Sequence, residues 1–246
     1  MKPHYDISIV FPTLEESQNP FFLESLNALK EYRKEGNIKV EVIVSDGGNQ
    51  LQKIIESDYP FIKYIASHSS SRSLRLKDGF INSHSNLIIL HHPRSKIDLK
   101  ALEFLLNNEN KITWGGLTHT FDWSKPLLKF TSWYSNHVRL KLRGIIYLDH
   151  CFIINRSKLS DENIFPKDEI FEDTIISQNL LKQLNLPELF PFLSTTSSVR
   201  FKRNGLYRQI LLNQILKVLF LLGLSDKRMN KLYEKGLELN SKFSNN

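Results

Sequence analysis

Val40-Glu41-Val42-Ile43-Val44-Ser45-Asp46-Gly47-Gly48 reads as a short buried strand that ends abruptly in a turn. The β-branched run over 40–44 suits a pleated, enclosed backbone, and the Asp-Gly-Gly behind it stops the strand. A matching run, Ile7-Ser8-Ile9-Val10-Phe11, stops at Pro12-Thr13. Between the two, Asn19 offers an N-cap and Pro20 an N1 proline; Phe22, Leu26, Leu29 and Tyr32 then recur at helical spacing until Gly36. The unit is strand, helix, strand, and a crossover of that length joins parallel strands.

The pattern repeats with a strand expected over 61–66, a helix over 72–84 and a strongly apolar strand over 87–90 that runs into His91-His92-Pro93-Arg94. This alternation predicts an α/β fold, a mostly parallel sheet with helices on both faces. In such sheets ligands sit outside the carboxyl ends of the strands, which selects Thr13, Glu15, Asp46 and Arg94 as candidate site residues. The second half carries longer strands, expected over 111–122 and 144–155, as a mixed edge able to hold an acceptor. An acidic-headed helix over 172–184 follows, with Ile175, Ile176, Leu180, Leu181 and Leu184 on its apolar side. Two terminal helices are expected over 205–222 and 226–239, the second capped by Ser225. The predicted division is therefore a catalytic domain over 1–204 and a helical appendage over 205–246.

The 246 residues are 41% hydrophobic and 24% charged, the composition of an ordinary globular chain with one substantial core. Cys151 is the single cysteine, which excludes an internal disulfide and a multi-cysteine metal site, and its apolar flanks predict a core position. No signal peptide is readable before the first strand, so a cytoplasmic location is expected. The most apolar late stretch, 210–224, contains Asn213, Gln214 and Lys217 and falls short of the about 20 apolar residues a spanning helix needs. A stripe of Leu211, Leu212, Ile215, Leu219 and Leu222 predicts core packing, with a peripheral contact at the inner membrane face as the sharper alternative. The net charge of +7 favours anionic partners. Basic residues scattered over helices, without an aromatic-interleaved stripe, speak against nucleic acid.

Several of these stretches together resemble one family. The strand and turn from Ile7 to Glu16, Asp46-Gly47-Gly48, Ser71-Arg72 with Gly79, Gly115-Gly116, Phe121-Asp122, Asp149-His150 and Phe171-Glu172-Asp173 are similar in order and spacing to a small bacterial group of family 2 glycosyltransferases. The terminal run from Gly205-Leu206-Tyr207-Arg208 through Leu222-Gly223-Leu224-Ser225 to Leu232-Tyr233 resembles the C-terminal signature of that subgroup. Leu14 and Glu15 depart from its Pro-Thr-x-Asn-Glu turn, and Lys77 stands where it carries asparagine.

The resemblance implies a GT-A fold and an inverting transfer of a sugar from a nucleotide-diphosphate donor, UDP- or GDP-linked, to an acceptor it does not identify. It makes Asp173 the expected base for the acceptor hydroxyl, at a helix start whose dipole favours an ionised carboxylate, with Glu172 and Asp149 in support. Asp46 and the backbone of Pro12 and Thr13 are expected at the nucleoside, and Arg72, Arg200 and Arg203 at base or phosphate, the last two within a basic loop. The family also carries a metal-binding aspartate in a Leu-His-Ala-Asp-Thr context, implying Mg²⁺ or Mn²⁺; here Arg94 occupies that place. A guanidinium cannot ligate a hard cation, but it can grip a diphosphate as a fork, so metal-free binding is expected and no metal ligand is assigned. The alternative is a non-catalytic relative that keeps the fold as a binding module.

Overall fold

The computed structural model describes residues 5–14, 16–36, 38–48, 51–167, 171–224 and 228–229; Glu15, Ser225 and nearly all of the expected helix over 226–239 lie outside them. The two opening strands pair as expected, β1 (Ile7–Thr13) parallel to β2 (Val40–Asp46), with Ile7 opposite Val40 and Thr13 opposite Asp46. The helix between them, α1 (Pro20–Glu35), starts where the Asn19 side chain accepts from the Phe21 amide and ends at Gly36, whose left-handed φ of 76° a side chain would resist.

The remaining described elements are α2 (Gln52–Asp58), β3 (Ile62–Ala66), α3 (Arg72–Ile81), β4 (Leu87–Leu90), β5 (Ser95–Ile97), α4 (Lys100–Asn107), β6 (Trp114–Phe121), α5 (Pro126–Tyr134), β7 (Phe152–Asn155), α6 (Glu172–Leu181), β8 (Glu188–Thr196), α7 (Val199–Asn204) and α8 (Leu206–Leu221). The strands form one eight-stranded sheet in the order β3-β2-β1-β4-β7-β6-β8-β5. The first four are parallel; β7 runs antiparallel to β4 and β6, β8 parallel to β6, and β5 antiparallel to β8. Side chains alternate across it. Ile7, Ile9 and Phe11 join one core with Phe22, Leu26 and Ile55, whereas Val10 joins Leu76, Phe80, Ile176 and Leu180 in a second, so helices cover both faces. A methyl group on Gly79 would lie 2.2 Å from the Val10 side chain, which is how closely α3 approaches β1.

Three expectations are corrected. The strand expected over 144–155 is only β7, because residues before it turn through Gly144 and a 3₁₀ turn, Leu148–His150; Ile145, Ile146 and Leu148 are buried by that turn rather than by a ladder. The basic segment near 200 is the helix α7, not a loop, and β8 before it was not anticipated. Pro191 disguises β8, and the ladder accommodates it at a register shift between Leu117 and Thr118, where a proline's missing amide is tolerated. On α8 it is Leu212 and Leu216 that are buried, while Leu211, Ile215 and Leu222 are exposed. That helix is apolar on most sides, so periodicity alone could not choose its inner face. No helix among the described residues is long and apolar enough to cross a membrane.

Candidate active site

Beyond β4 the chain separates two adjacent histidines. His91 donates its amide to the Val10 carbonyl at 2.8 Å and buries its ring against Phe11, centroids 4.6 Å apart. His92 faces the opposite way, into a cleft of about 570 Å³ at the carboxyl ends of the parallel strands, as alternation along an extended chain requires. Arg94 enters the same cleft. The turn that carries it is sewn to the end of β8: the Ser197 amide donates to the Arg94 carbonyl at 2.9 Å, and the Ser95 and Thr196 hydroxyls meet at 2.7 Å. At the end of β6, Asp122 accepts from the Ser198 amide at 2.8 Å and from Lys202 at 3.4 Å, which fixes the start of α7 and brings Arg200 in as well. Arg203, on that same helix, is exposed and outside the cleft lining.

Burial, then the neighbouring Arg94 and Arg72, pull the Arg200 pKa down to about 9. Burial also pushes His92 down to about 3, so its imidazole is neutral; its Nδ1 accepts from the Arg94 amide at 3.0 Å and lies 4.0 Å from Asp149. Arg94 itself lies 3.9 Å from Glu16, which also accepts from Asn19 at 2.6 Å.

The same cleft is lined by acids. Phe171, at a left-handed φ of 57°, turns the chain into α6 so that Glu172 and Asp173 begin the helix inside the protein, 1% and 9% exposed. Glu172 pairs with Arg72 from the start of α3 through one oxygen, and its other oxygen has no hydrogen-bond partner among the described residues. Burial acts to lower the Arg72 pKa, but Glu172 and Asp173 raise it overall. Asp173 accepts from the Thr174 amide at 2.8 Å and from the Leu148 amide at 3.5 Å. Burial and then the Glu172 charge push its carboxyl up from 3.8 to about 7, against the expectation that the helix dipole keeps it ionised. Desolvation wins because the acid is enclosed rather than presented to water at the helix end.

Asp149 stands on the 3₁₀ turn beside them, just before Cys151, which is buried as expected and held at φ 55°. The left-handed non-glycine residues among the described ones, His68, Cys151 and Phe171, all flank segments that supply cleft residues, a placement typical of sites whose geometry overrides local backbone preference.

The structure thus brings together Arg72, Arg94, Asp149, Glu172, Asp173 and Arg200. It does not bring Pro12, Thr13 or Asp46 to the lining; all three are buried at the ends of β1 and β2. Asp46 is spent internally: one oxygen accepts from Thr13 at 3.1 Å and the Gly48 amide at 3.3 Å, the other from Tyr64 at 3.1 Å and the Leu51 amide at 3.4 Å. Glu15 lies outside the described residues.

Mg²⁺ and Mn²⁺ need several oxygen ligands, whereas the strand-end turn presents His92 and Arg94 beside Arg72 and Arg200, and no group of three or more His, Cys, Asp or Glu among the described residues could hold a metal ion.

No family model and no curated protein matches this sequence. Solved structures do: S. aureus TarS, as its 1–349 fragment, aligns at a TM-score of 0.60 and 15% identity over 99% of this chain and 73% of that one. The fold is of the GT-A type. Against the longer TarS chain the TM-score is 0.59 at 14% identity, and this chain, covered in full, spans only 44% of it. A mycobacterial protein aligns over 79% of this chain and 66% of its own at a TM-score of 0.51 and 13% identity.

The sequence reading passed over further cleft residues, among them Arg75, His119, Arg139, Tyr147 and Lys217. A signal for some was present. Gln209, Asn213 and Lys217 recur four apart on α8, and Thr131, Ser135 and Arg139 recur four apart along α5 and the π-helical turn Ser135–Leu140 that continues it. Each is a polar stripe on a largely apolar segment, and all six residues line the cleft.

Proposed function

We propose that the chain is an inverting glycosyltransferase that uses a nucleotide-diphosphate sugar and holds the diphosphate with arginines instead of a divalent cation. The observation that carries this reading is that Arg72, Arg94 and Arg200 line one strand-end cleft together with Asp149, Glu172 and Asp173, with Arg72 paired to Glu172. Guanidinium forks match phosphate oxygens in pairs, and their fixed charge lowers the energy of a diphosphate as negative charge builds on it. The like-folded S. aureus TarS is known in complex with UDP-GlcNAc and with UDP, which makes uridine conjugates the first donors to try.

In the proposed step the acceptor oxygen attacks the anomeric carbon as the bond from that carbon to the diphosphate oxygen breaks. The bonding pair leaves with the diphosphate, and the hydroxyl proton passes to the Asp173 carboxylate. A base whose pKa is about 7 is poised for that transfer near neutral pH. Glu172, already paired with Arg72, keeps that guanidinium oriented, and Asp149 is placed to meet the sugar or the acceptor.

Thermal unfolding in the presence of UDP, GDP and their sugar conjugates, with and without Mn²⁺, tests the donor side, because a ligand of the native state raises its stability by mass action. The expected result is stabilisation that is indifferent to Mn²⁺ and lost in Arg94→Asp. Silence with every nucleotide would refute the reading and leave a binding module of another kind.

A further inference from the structure

The cleft continues past Asp173 into a compartment between α8, α5 and the end of β6. Its wall carries charge without a visible partner. Arg139, 7% exposed, stacks on the Tyr147 ring at 3.9 Å and donates to the Ser135 hydroxyl at 2.9 Å. Lys217 projects from α8 towards the same place: burial, and then the charges of Arg139 and Arg143, lower its pKa to about 8. Neither Arg139 nor Lys217 forms an ion pair within 4.0 Å among the described residues. His119, 4% exposed on β6, lines the compartment with both ring nitrogens unpartnered among the described residues, and burial holds it neutral by lowering its pKa to about 3. A neutral imidazole offers one donor and one acceptor, and enclosed polar atoms of this kind call for a ligand or an ordered water. Asp173 and Tyr147 line the same cleft, which places the compartment beside the proposed base.

We propose that this compartment is the acceptor subsite and that it takes an acceptor carrying an oxyanion, phosphate or carboxylate, near the hydroxyl that receives the sugar. Arg139 and Lys217 hold the anion, His119 and Asn213 hold neighbouring hydroxyls, and Tyr147 keeps the Arg139 fork in plane. The inference rests on the transferase reading, and it adds a second group of cations distinct from Arg72, Arg94 and Arg200. The arrangement explains why Lys217 lies in a cleft among like charges, where an anion is the natural counterpart.

The test is calorimetric titration of the protein saturated with whichever of UDP or GDP stabilises it, so that added anions cannot settle in the diphosphate position. Glycerol 3-phosphate is compared with glycerol, and glucuronate with glucose; the two pairs separate phosphate from carboxylate. At least one anion should bind on the order of tenfold more tightly than its neutral counterpart, the worth of a charged hydrogen bond. Lys217→Gln should remove most of that preference without altering nucleotide affinity, and Lys217→Arg should keep it. Arg139→Gln serves as the second variant, with its fold checked by unfolding. Anions binding no better than neutral partners, or equally well to Lys217→Gln and Arg139→Gln, would overturn the subsite while nucleotide binding still upheld the donor reading. If no nucleotide binds, the transferase reading falls by itself. The same titration on Arg94→Ala, with the diphosphate side silenced, then decides whether Lys217 and Arg139 form an oxyanion site.

Discussion

Asp46 and Asp173 are both buried carboxylates near the carboxyl-end rim of one sheet, yet their surroundings are opposite. Asp46 closes β2 in the parallel half, with both oxygens occupied by four donors from its own turn, from Thr13 and from Tyr64. Asp173 opens α6 beside the mixed half, with one short bond to the next amide, one long bond to Leu148, and Glu172 at its side. A buried acid with every lone pair satisfied is a structural pin; one left short of donors beside a second carboxylate and facing a cleft is available for proton transfer. Asp46, expected at the nucleoside, is held by donors of its own fold, whereas Asp173, expected as the base at a helix start, lines the cleft.

The largest effect that sharpens this contrast is on turnover. Asp173→Asn should lower kcat by about 10²- to 10⁴-fold, the usual worth of a positioned base, with nucleotide binding intact; a variant that still transfers at the parent rate would move the base elsewhere. In the parent, kcat/KM should rise with pH through about 7 as Asp173 ionises. The sign for stability is opposite. The folded state holds the Asp173 proton up to about 7 while the unfolded chain releases it near 3.8, so this group favours folding at low pH and loses that contribution as pH rises between the two. Asp173→Asn should flatten that slope in urea unfolding.

Asp46 should answer in stability instead. Asp46→Ala leaves the donors of Thr13, Tyr64 and two amides without their acceptor, and a cost of about 3 kcal/mol in urea unfolding is expected, together with whatever nucleotide affinity the misplaced turn loses. A variant of full stability that has lost nucleotide binding would instead return Asp46 to the ligand. The smallest effect is expected at Arg203, which is exposed on α7 one turn from Arg200; Arg203→Ala should leave stability within about 0.5 kcal/mol and nucleotide affinity unchanged in the same titrations.

Much of the parallel half was legible because local rules and tertiary environment agree there. The run over 7–13, the Asn19-Pro20 start and the Gly36 stop of α1, and the run over 40–46 each carry a local signal that the sheet then satisfies. The mixed half resisted because its signals are not local. Pro191 sits in a strand only because a register shift admits it, residues 144–151 are apolar yet turn, and α8 is apolar on most sides.

From the sequence alone follow the α/β alternation, the strand-end turns and the arginine behind the fourth strand, because those depend on residue identity and short-range periodicity. Which of the carboxylates and cations face one another was decided only by tertiary structure. Arg72 meets Glu172 across 100 positions of chain and Asp122 anchors the helix that carries Arg200 across 76. Desolvation, which raises Asp173 and lowers His92, His119 and Lys217, belongs to the enclosing fold and to no single stretch of residues.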